Sequence, residues 1–485
     1  MSEQKLKDRT ISGVGWSAAD AFLGKGVTFI VGIVLARLLT PSEYGLIGIC
    51  TIFVSVLSVI VDSGFSSALI RKKEVSEGDY STMFVLNILL SVFLYFLLFL
   101  CSPYLASFFG HEELIELIRV MGLILIIQAL SIVQVTELSR RIDFKTKTKA
   151  SLLSSIISGI VGIGMAYYGY GVWSLVGQQV SRQLIYTVDL WFLNKWKLSL
   201  RFNKASFNYM FGFGWKLAVS GLLNSIWNQL YQIVVGKFYN AETLGQYTRS
   251  REYASLFSEN FSLIIQRVSY PVLSKLQDEK ERMLFVYRKV IKLSMFVTAI
   301  CMIFMGAISE PLIYCLIGPQ WNEAAKYLPL ICISLSLYPL HAINLNMLQI
   351  QGRSDIFLFL EIIKKLIAIG PICLGIFVNI YWMLIGSIIT GVISFFLNNN
   401  YTGKKLGYTS LKQLRDISTS YGIAVVVAIS VYFFKYLPLS YWIILLIQII
   451  VGVFIFFAIC ELARPTEYLE IKEIIFNYSK KILKK

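Results

Sequence analysis

Five basic residues interrupt long apolar stretches of this chain. They are Lys25, Arg182, Lys216, Arg249 and Arg251. A charge near the centre of a bilayer costs at least about 2.5 kcal/mol on insertion scales, so each of these side chains is expected to face protein or water. Lysine binds phosphate as a point charge, and the planar guanidinium of arginine binds it through paired hydrogen bonds. The five cations therefore predict a water-filled cavity that receives an anionic substrate.

An alternative interpretation of the same charges is structural. Lys25 with Asp20, or Arg249 with Glu252, would form buried ion pairs that hold neighbouring turns together. Five cations concentrated in four apolar segments are more than packing requires, so the cavity is the favoured interpretation and the ion pairs remain open.

Polar side chains recur at helical spacing around these cations. One set is Lys216, Ser220, Asn224 and Asn228, with Tyr231 next to it. A second set is Arg251, Ser255, Glu259, Ser262 and Gln266, and a third is Gln178, Arg182, Tyr186 and Asp189. Steps of three and four residues place each set on one helix face. Amide and tyrosine side chains suit sugar hydroxyls and ring faces, although small polar residues also pack membrane helices against each other.

Four carboxylates in the apolar segments are candidates for coupling to a cation gradient. They are Asp20, Asp62, Asp189 and Glu259. Desolvation disfavours the charged carboxylate, so such a group can load and release a proton when its access to water alternates. A salt-bridge role is the alternative. The seven cysteines form no CxxC pair and the two histidines stand far apart, so no metal or other cofactor is predicted beyond H⁺ or Na⁺ as a coupling ion.

The elements that carry these residues are membrane helices. The chain has 485 residues, of which 56% are hydrophobic and 15% charged, and this composition excludes a soluble multidomain protein. The sequence predicts an all-α polytopic membrane protein with about fourteen transmembrane helices. The predicted spans are 12–38, 44–70, 82–107, 115–138, 150–168, 171–194, 209–235, 244–271, 285–309, 324–350, 358–379, 381–402, 416–437 and 440–461.

The distribution of the 45 Lys and Arg residues predicts the orientation. Most of them lie in alternate connecting segments, such as 71–73, 140–149 and 280–292. The positive-inside rule then places both termini in the cytoplasm of a multi-pass protein of the cell inner membrane. The net charge of +16 is therefore explained by basic residues on the cytoplasmic side, where they also contact anionic lipids. Because the charge has this explanation, no nucleic-acid partner is predicted. Short outer loops disfavour a membrane polymerase or ligase, and the lack of a P-loop disfavours an ATP-driven pump.

An internal repeat relates the two halves of the chain. Gly13-Val14-Gly15-Trp16 matches Gly212-Phe213-Gly214-Trp215, and Ser42-Glu43-Tyr44-Gly45 matches Glu242-Thr243-Leu244-Gly245. Arg141-Ile142-Asp143 and Arg353-Ser354-Asp355 form a third pair. Six helices in each half make the repeat parallel, with its axis along the membrane normal. This predicts an N-lobe over 1–205, a C-lobe over 206–405 and a C-terminal helix pair with a cytoplasmic tail over 406–485.

The motifs in and after the first predicted helix resemble a known family. The Gly-x-Gly-Trp opening, the segment Arg37–Gly45, and Asp62-Ser63-Gly64-Phe65 followed by Arg71-Lys72 are similar to those of polysaccharide exporters. These are the Wzx-type flippases, of the colanic-acid and teichuronic-acid branch, in the multidrug/oligosaccharidyl-lipid/polysaccharide superfamily.

The resemblance implies a two-lobe transporter, not an enzyme, that alternates access around a central cavity. It implies a lipid-linked oligosaccharide on undecaprenyl diphosphate as the substrate, translocated from the cytoplasmic to the outer leaflet for O-antigen, capsule or exopolysaccharide synthesis. Membrane lipids and other polysaccharide assembly proteins are the expected partners, and no catalytic residue carries over. A flippase for peptidoglycan lipid II and a multidrug/cation antiporter of the same fold stay open. The antiporter would prefer a cavity dominated by carboxylates, whereas cations dominate here.

Overall fold

A computed structural model describes residues 23–62, 64–194, 196 and 199–483, and all regular structure in these ranges is helical. The chain forms two compact units, Met1–Gly245 and Gln246–Lys485. The helices of the first unit are α1 (Lys25–Leu38), α2 (Pro41–Asp62), α3 (Phe65–Arg71), α4 (Glu77–Phe109), α5 (Leu114–Arg140), α6 (Phe144–Tyr167), α7 (Trp173–Leu193) and α8 (Lys204–Phe238). Helix α9 (Ala241–Lys275) begins at the end of this unit and continues in the next.

The second unit continues with ten further helices. They are α10 (Lys280–Ala307), α11 (Ser309–Ile317), α12 (Asn322–Ser336), α13 (Tyr338–Ile350), α14 (Ser354–Ile367), α15 (Ile369–Phe377), α16 (Ile380–Leu406), α17 (Ser410–Tyr432), α18 (Tyr441–Ala463) and α19 (Thr466–Leu483). Short 3₁₀ turns at Pro319–Trp321 and Phe433–Tyr436 connect α11 to α12 and extend α17.

Apart from a few residues at bends and at span ends, the described residues of the predicted spans are helical. Three of the spans are each divided between two helices, because the chain bends near Gly64, Leu337 and Ala368. Within the described ranges, nine helical segments are long and apolar enough to cross a membrane. The remaining predicted spans include α7, α8 and α9, which carry the polar stripes and are therefore less apolar. The total of fourteen transmembrane helices therefore stays a prediction. The amphipathic helix α19 was not predicted.

Polar caps begin several helices of the first unit. The Ser76 hydroxyl accepts a hydrogen bond from the Asp79 backbone N–H, and the Asp79 carboxylate accepts one from the Ser76 N–H. This reciprocal arrangement satisfies two amide groups that have no partner within helix α4. Asp143 caps α6 and Asn203 caps α8 in a similar way. The loops between apolar helices are therefore fixed by short-range side-chain bonds.

Helix α8 packs closely against the junction of α2 and α3. Gly64 joins these two helices with a φ of +65°, which favours glycine, and an added Cβ there would lie 2.7 Å from the Gly214 carbonyl oxygen. Two turns further along α8, a Cβ added to Gly221 would lie 2.9 Å from the Val59 side chain. Gly214 and Gly221 of α8 therefore face α2 and α3.

The core of the second unit combines apolar and amide side chains. One cluster includes Tyr287, Met295, Leu340 and Phe395, all nearly inaccessible to solvent. The Tyr287 hydroxyl donates a hydrogen bond to the Asn344 side-chain oxygen, and Gln413 contacts the same amide. The polar atoms of this network satisfy one another, which allows them to be buried.

Candidate functional site

The stripe predicted on α8 lies on an exposed face of the first unit. We call Lys216, Ser220, Asn224 and Asn228 the α8 stripe; all four side chains are exposed and Tyr231 beside them is half-buried. Among the described residues Lys216 has no ion-pair partner, and the two asparagines have no hydrogen-bond partner. Elsewhere on α8, Gly214 and Gly221 contact α2 and α3, and the Gln229 amide donates to the Ser55 hydroxyl over 3.0 Å. The stripe is thus available to a ligand.

Helix α7 carries the second set in the first unit. Gln178, Arg182 and Asp189 are half-buried. One carboxylate oxygen of Asp189, Oδ2, is buried without a hydrogen-bond partner in the described part of the chain. The helix itself is anchored to α5, because Thr187 donates to the Ile127 carbonyl over 3.1 Å and Trp191 to the Leu130 carbonyl over 2.9 Å. The helix that carries Asp189 is therefore fixed to α5, and one oxygen of Asp189 has no hydrogen-bond partner among the described residues.

The other residues predicted in the first unit have different surroundings. Lys25 on α1 is exposed, and Asp20 lies outside the described residues. Asp62, at the end of α2, accepts a hydrogen bond of 2.5 Å from the Ser66 hydroxyl, and Ser66 accepts one of 3.0 Å from Thr136. This chain of hydroxyls ties α2 and α3 to α5. Asp62 consequently has a structural contact that Asp189 lacks.

Helix α9 places its charges on more than one face. Arg249 is nearly buried and forms an ion pair with Glu252, at 2.6 Å between Nη1 and Oε2. Arg251, Ser255 and Glu259 are half-buried. The buried face instead carries Ser250, which donates to the Ala324 carbonyl over 2.7 Å, and Ser258, which donates to the Leu335 carbonyl over 2.5 Å. The structure therefore shows for Arg249 the ion pair that was the alternative to a cavity role.

The repeated segments at the beginnings of α2 and α9 contact each other reciprocally. A Cβ added to Gly45 would lie 1.7 Å from the carbonyl oxygen of Ala241. A Cβ added to Gly245 would lie 1.8 Å from the carbonyl oxygen of Pro41. Glycine at the matching position of each repeat thus lets two backbones touch. The sequence repeat contained both glycines, but their contact could not be read from it.

A network of ion pairs in the second unit was also not predicted. Arg288 on α10 donates from Nε and Nη2 to the two oxygens of Asp416 on α17, at 2.9 Å each. Lys292 lies 3.2 Å from Glu467 on α19. The sequence contains a signal for this network, because charged residues recur at helical spacing in two segments. These are the basic residues 288, 289 and 292 on α10 and the acidic residues 467 and 470 on α19. Their pairing depends on the position of α19, which no local pattern specified.

This arrangement of long apolar helices defines the protein as a multi-pass, all-α membrane protein, as predicted. Residues 34–326, more than half of the chain, match the family described as polysaccharide biosynthesis protein, and the chain belongs to that family. The resemblance to polysaccharide exporters that the sequence motifs indicated is thereby confirmed. The members of this family are transporters and not enzymes.

Two relatives and one solved structure illustrate these similarities. The chain is 23% identical over 362 residues to the succinoglycan biosynthesis transport protein ExoT of Rhizobium meliloti, covering 75% of this chain and 73% of that protein. It is 25% identical over 356 residues to the teichuronic acid biosynthesis protein TuaB of Bacillus subtilis, covering 72% and 73%. The fold is similar to that of the lipid II flippase MurJ in an inward closed conformation, with a TM-score of 0.71, 17% identity and coverage of 93% and 98%.

Proposed function

We propose that this protein translocates undecaprenyl-diphosphate-linked oligosaccharide units from the cytoplasmic to the outer leaflet by alternating access. The observation that carries the proposal is the α8 stripe, which combines exposed amide side chains with an exposed lysine that has no ion-pair partner among the described residues. A lysine head suits a diphosphate, and amides suit sugar hydroxyls through paired donors and acceptors. Membership of a polysaccharide biosynthesis family supports a lipid-linked glycan as the cargo.

The proposal assigns the binding of the cargo to five cations. Lys25, Arg182 and Lys216 are the assigned residues in the first unit, and Arg249 and Arg251 in the second. Lys216 has the strongest support because it has no counter-charge among the described residues. Arg249 has the weakest, because Glu252 already neutralises it.

Coupling to H⁺ or Na⁺ is the second part of the proposal. Among the described carboxylates suggested from the sequence, Asp189 is the best supported because its buried Oδ2 has no partner. A buried unpaired oxygen is costly, and binding a proton or a cation removes that cost. Asp62 is less suited because Ser66 already satisfies it.

Complementation tests the cargo. The gene is expressed in a strain lacking a polysaccharide-unit flippase and in a strain depleted of its lipid II flippase. We expect rescue of surface polysaccharide in the first strain and no rescue of growth in the second. Rescue of growth alone would favour the rival function, which the fold similarity to a lipid II flippase brings into consideration.

Substitutions test the site within the first strain. Lys216→Ala is expected to reduce polysaccharide export strongly at unchanged protein level. Lys204→Ala is the matched control, because Lys204 is exposed on the same helix and about 120° away from Lys216 around it. If single alanine substitutions at all five cations leave export unchanged, the site assignment is wrong.

A further inference from the structure

The second unit contains a cavity of about 360 Å³ between the first turns of α10 and the beginning of α19. Its charged lining consists of three basic residues, Arg288, Lys289 and Lys292, and three acidic residues, Glu281, Glu467 and Glu470. This volume lies in the range of small-molecule sites. None of these residues belongs to the proposed transport site, so the cavity has no role in the function described so far.

The cavity lies where α10 changes from charged to apolar. Helix α10 has 28 residues and is therefore about 42 Å long, whereas the hydrocarbon core of a bilayer is about 30 Å thick. Charged residues occur along 280–292, and 293–307 contains none. Lys292 and Leu293, on either side of this change, both line the cavity. We therefore place the cavity at the depth of the lipid headgroups.

Basic residues of α10 form ion pairs with acidic residues of α19 at the cavity. Lys289 lies 3.0 Å from Glu470, and Lys292 lies 3.2 Å from Glu467. The order of these pairs is reversed along the two helices, as expected where α10 and α19 run antiparallel. The charged residues of the lining sum to zero, and Asp416, which pairs with Arg288, adds one negative charge, so an anionic ligand would find no net attraction in the cavity.

Two groups of the cavity remain available to a ligand. Glu281 has no ion-pair partner in the described part of the chain. Arg288 uses Nε and Nη2 for Asp416, and its Nη1 takes no part in those two bonds. The Glu281 carboxylate and the Arg288 guanidinium therefore stand on the same helix, two turns apart. Leu284 and Phe285 lie between them, and Phe285 is 66% exposed.

We propose that this cavity binds the headgroup of a zwitterionic aminophospholipid. Its ammonium group donates to Glu281 and its phosphate accepts from Arg288, while the beginning of an acyl chain lies along Leu284, Phe285 and Leu293. A zwitterion leaves the cavity neutral, which an anionic headgroup does not. A choline headgroup carries the same charges but has no N–H to donate, so it lacks the bond to Glu281. The ligand class is thus a phospholipid with a primary ammonium.

Native mass spectrometry of the full-length protein tests this proposal. The protein is purified in mild detergent and equilibrated with equal amounts of phosphatidylethanolamine, phosphatidylglycerol and phosphatidylcholine. We expect phosphatidylethanolamine to be retained about tenfold over the other two, because a charge-assisted hydrogen bond suffices for that ratio. Equal retention of the three lipids, or preference for phosphatidylglycerol, would overturn the proposal.

A matched pair of variants locates the lipid in the cavity. Glu281→Gln removes the acceptor for the ammonium and is expected to reduce the preference to about twofold or less. Glu473→Gln is the control, because Glu473 is exposed on α19 and does not line the cavity. Identical lipid retention by both variants would show that the lipid binds elsewhere and would refute the assignment. Glu281 has no ion pair to lose, so its variant is expected to fold like the wild type.

Discussion

Replacing Gly45 by alanine is expected to push the beginnings of α2 and α9 apart. The new Cβ would lie 1.7 Å from the Ala241 carbonyl oxygen and 2.4 Å from the carbonyl carbon, whereas an ordinary contact begins at 3.4 Å. The obstructing atoms belong to the backbone and cannot rotate away. The two helix termini must therefore separate by well over 1 Å, which breaks a contact that both repeats contribute to equally.

Two opposing effects determine the size of the change. Alanine in place of glycine within a helix stabilises it by up to about 1 kcal/mol. Overpacking at a close contact costs about 1–3 kcal/mol, and sometimes more. An overlap this deep with backbone atoms lies at the upper end of that range, so we expect a net loss of about 2 kcal/mol. For a unit of this size the corresponding fall in Tm is roughly 4–8 °C.

Thermal unfolding in detergent, at one fixed scan rate, measures this loss. Gly164→Ala is the control, because Gly164 also lies in a helix of the first unit and an added Cβ meets nothing within 4 Å. The control is expected to unfold at or above the wild-type temperature. Gly245→Ala is expected to resemble Gly45→Ala, since its Cβ would lie 1.8 Å from the Pro41 oxygen.

The double variant gives the sharpest result. One separation of the two helix termini relieves both overlaps, so Gly45→Ala with Gly245→Ala should cost clearly less than the sum of the single changes. Coupling of this kind is expected only between residues that share a contact. Additive losses, or a Tm for Gly45→Ala equal to that of Gly164→Ala, would refute the reciprocal contact.

Three further predictions concern other parts of the chain. Asp79→Ala removes a fully buried carboxylate that caps α4 and pairs with Lys72 at 2.7 Å. This change is expected to lower the stability of the first unit by about 2 kcal/mol in a Tm measurement. Glu77→Ala, at an exposed neighbouring site, is the control. Tyr287→Phe leaves the Asn344 and Gln413 amides short of a partner and should cost about 1–3 kcal/mol in the same assay, whereas Tyr104→Phe, at a residue that is 79% exposed, should cost almost nothing. Fusion of a cytoplasm-dependent fluorescent protein to the C-terminus is expected to give fluorescence, and fusion of a periplasm-dependent phosphatase at the same point no activity; the reverse result would contradict the predicted orientation.

The helices could be predicted from the sequence because the bilayer sets their length and apolar character. Hydropathy therefore located α4 and α18, which are apolar around their whole circumference. It could not locate the bend at Gly64, because that bend depends on the close approach of Gly214, a residue far along the chain. Helix α19 was missed for a different reason. Its stability depends on contacts with α10 and α18, and its composition resembles that of a polar tail.

The sequence predicted which residues of the candidate site share a helix face, but it did not predict which residues they contact. Spacing alone placed Lys216 and Asn224 on one face of α8, and the structure leaves both exposed. Spacing could not decide between a cavity role and an ion pair for Arg249, because both interpretations use the same residues. Only the observed distance to Glu252 separates them.

The difference between Arg249 and Lys216 indicates where function resides in this protein. Both are charges carried by helices in an otherwise apolar chain, and each has to be compensated because an uncompensated charge in lipid costs at least about 2.5 kcal/mol. The chain supplies the compensation for Arg249 through Glu252, three residues away. The described residues supply no counter-charge for Lys216, which fits the proposed role of this lysine in binding an anionic cargo. We therefore expect loss of the charge at Lys216 to affect transport and to leave folding intact.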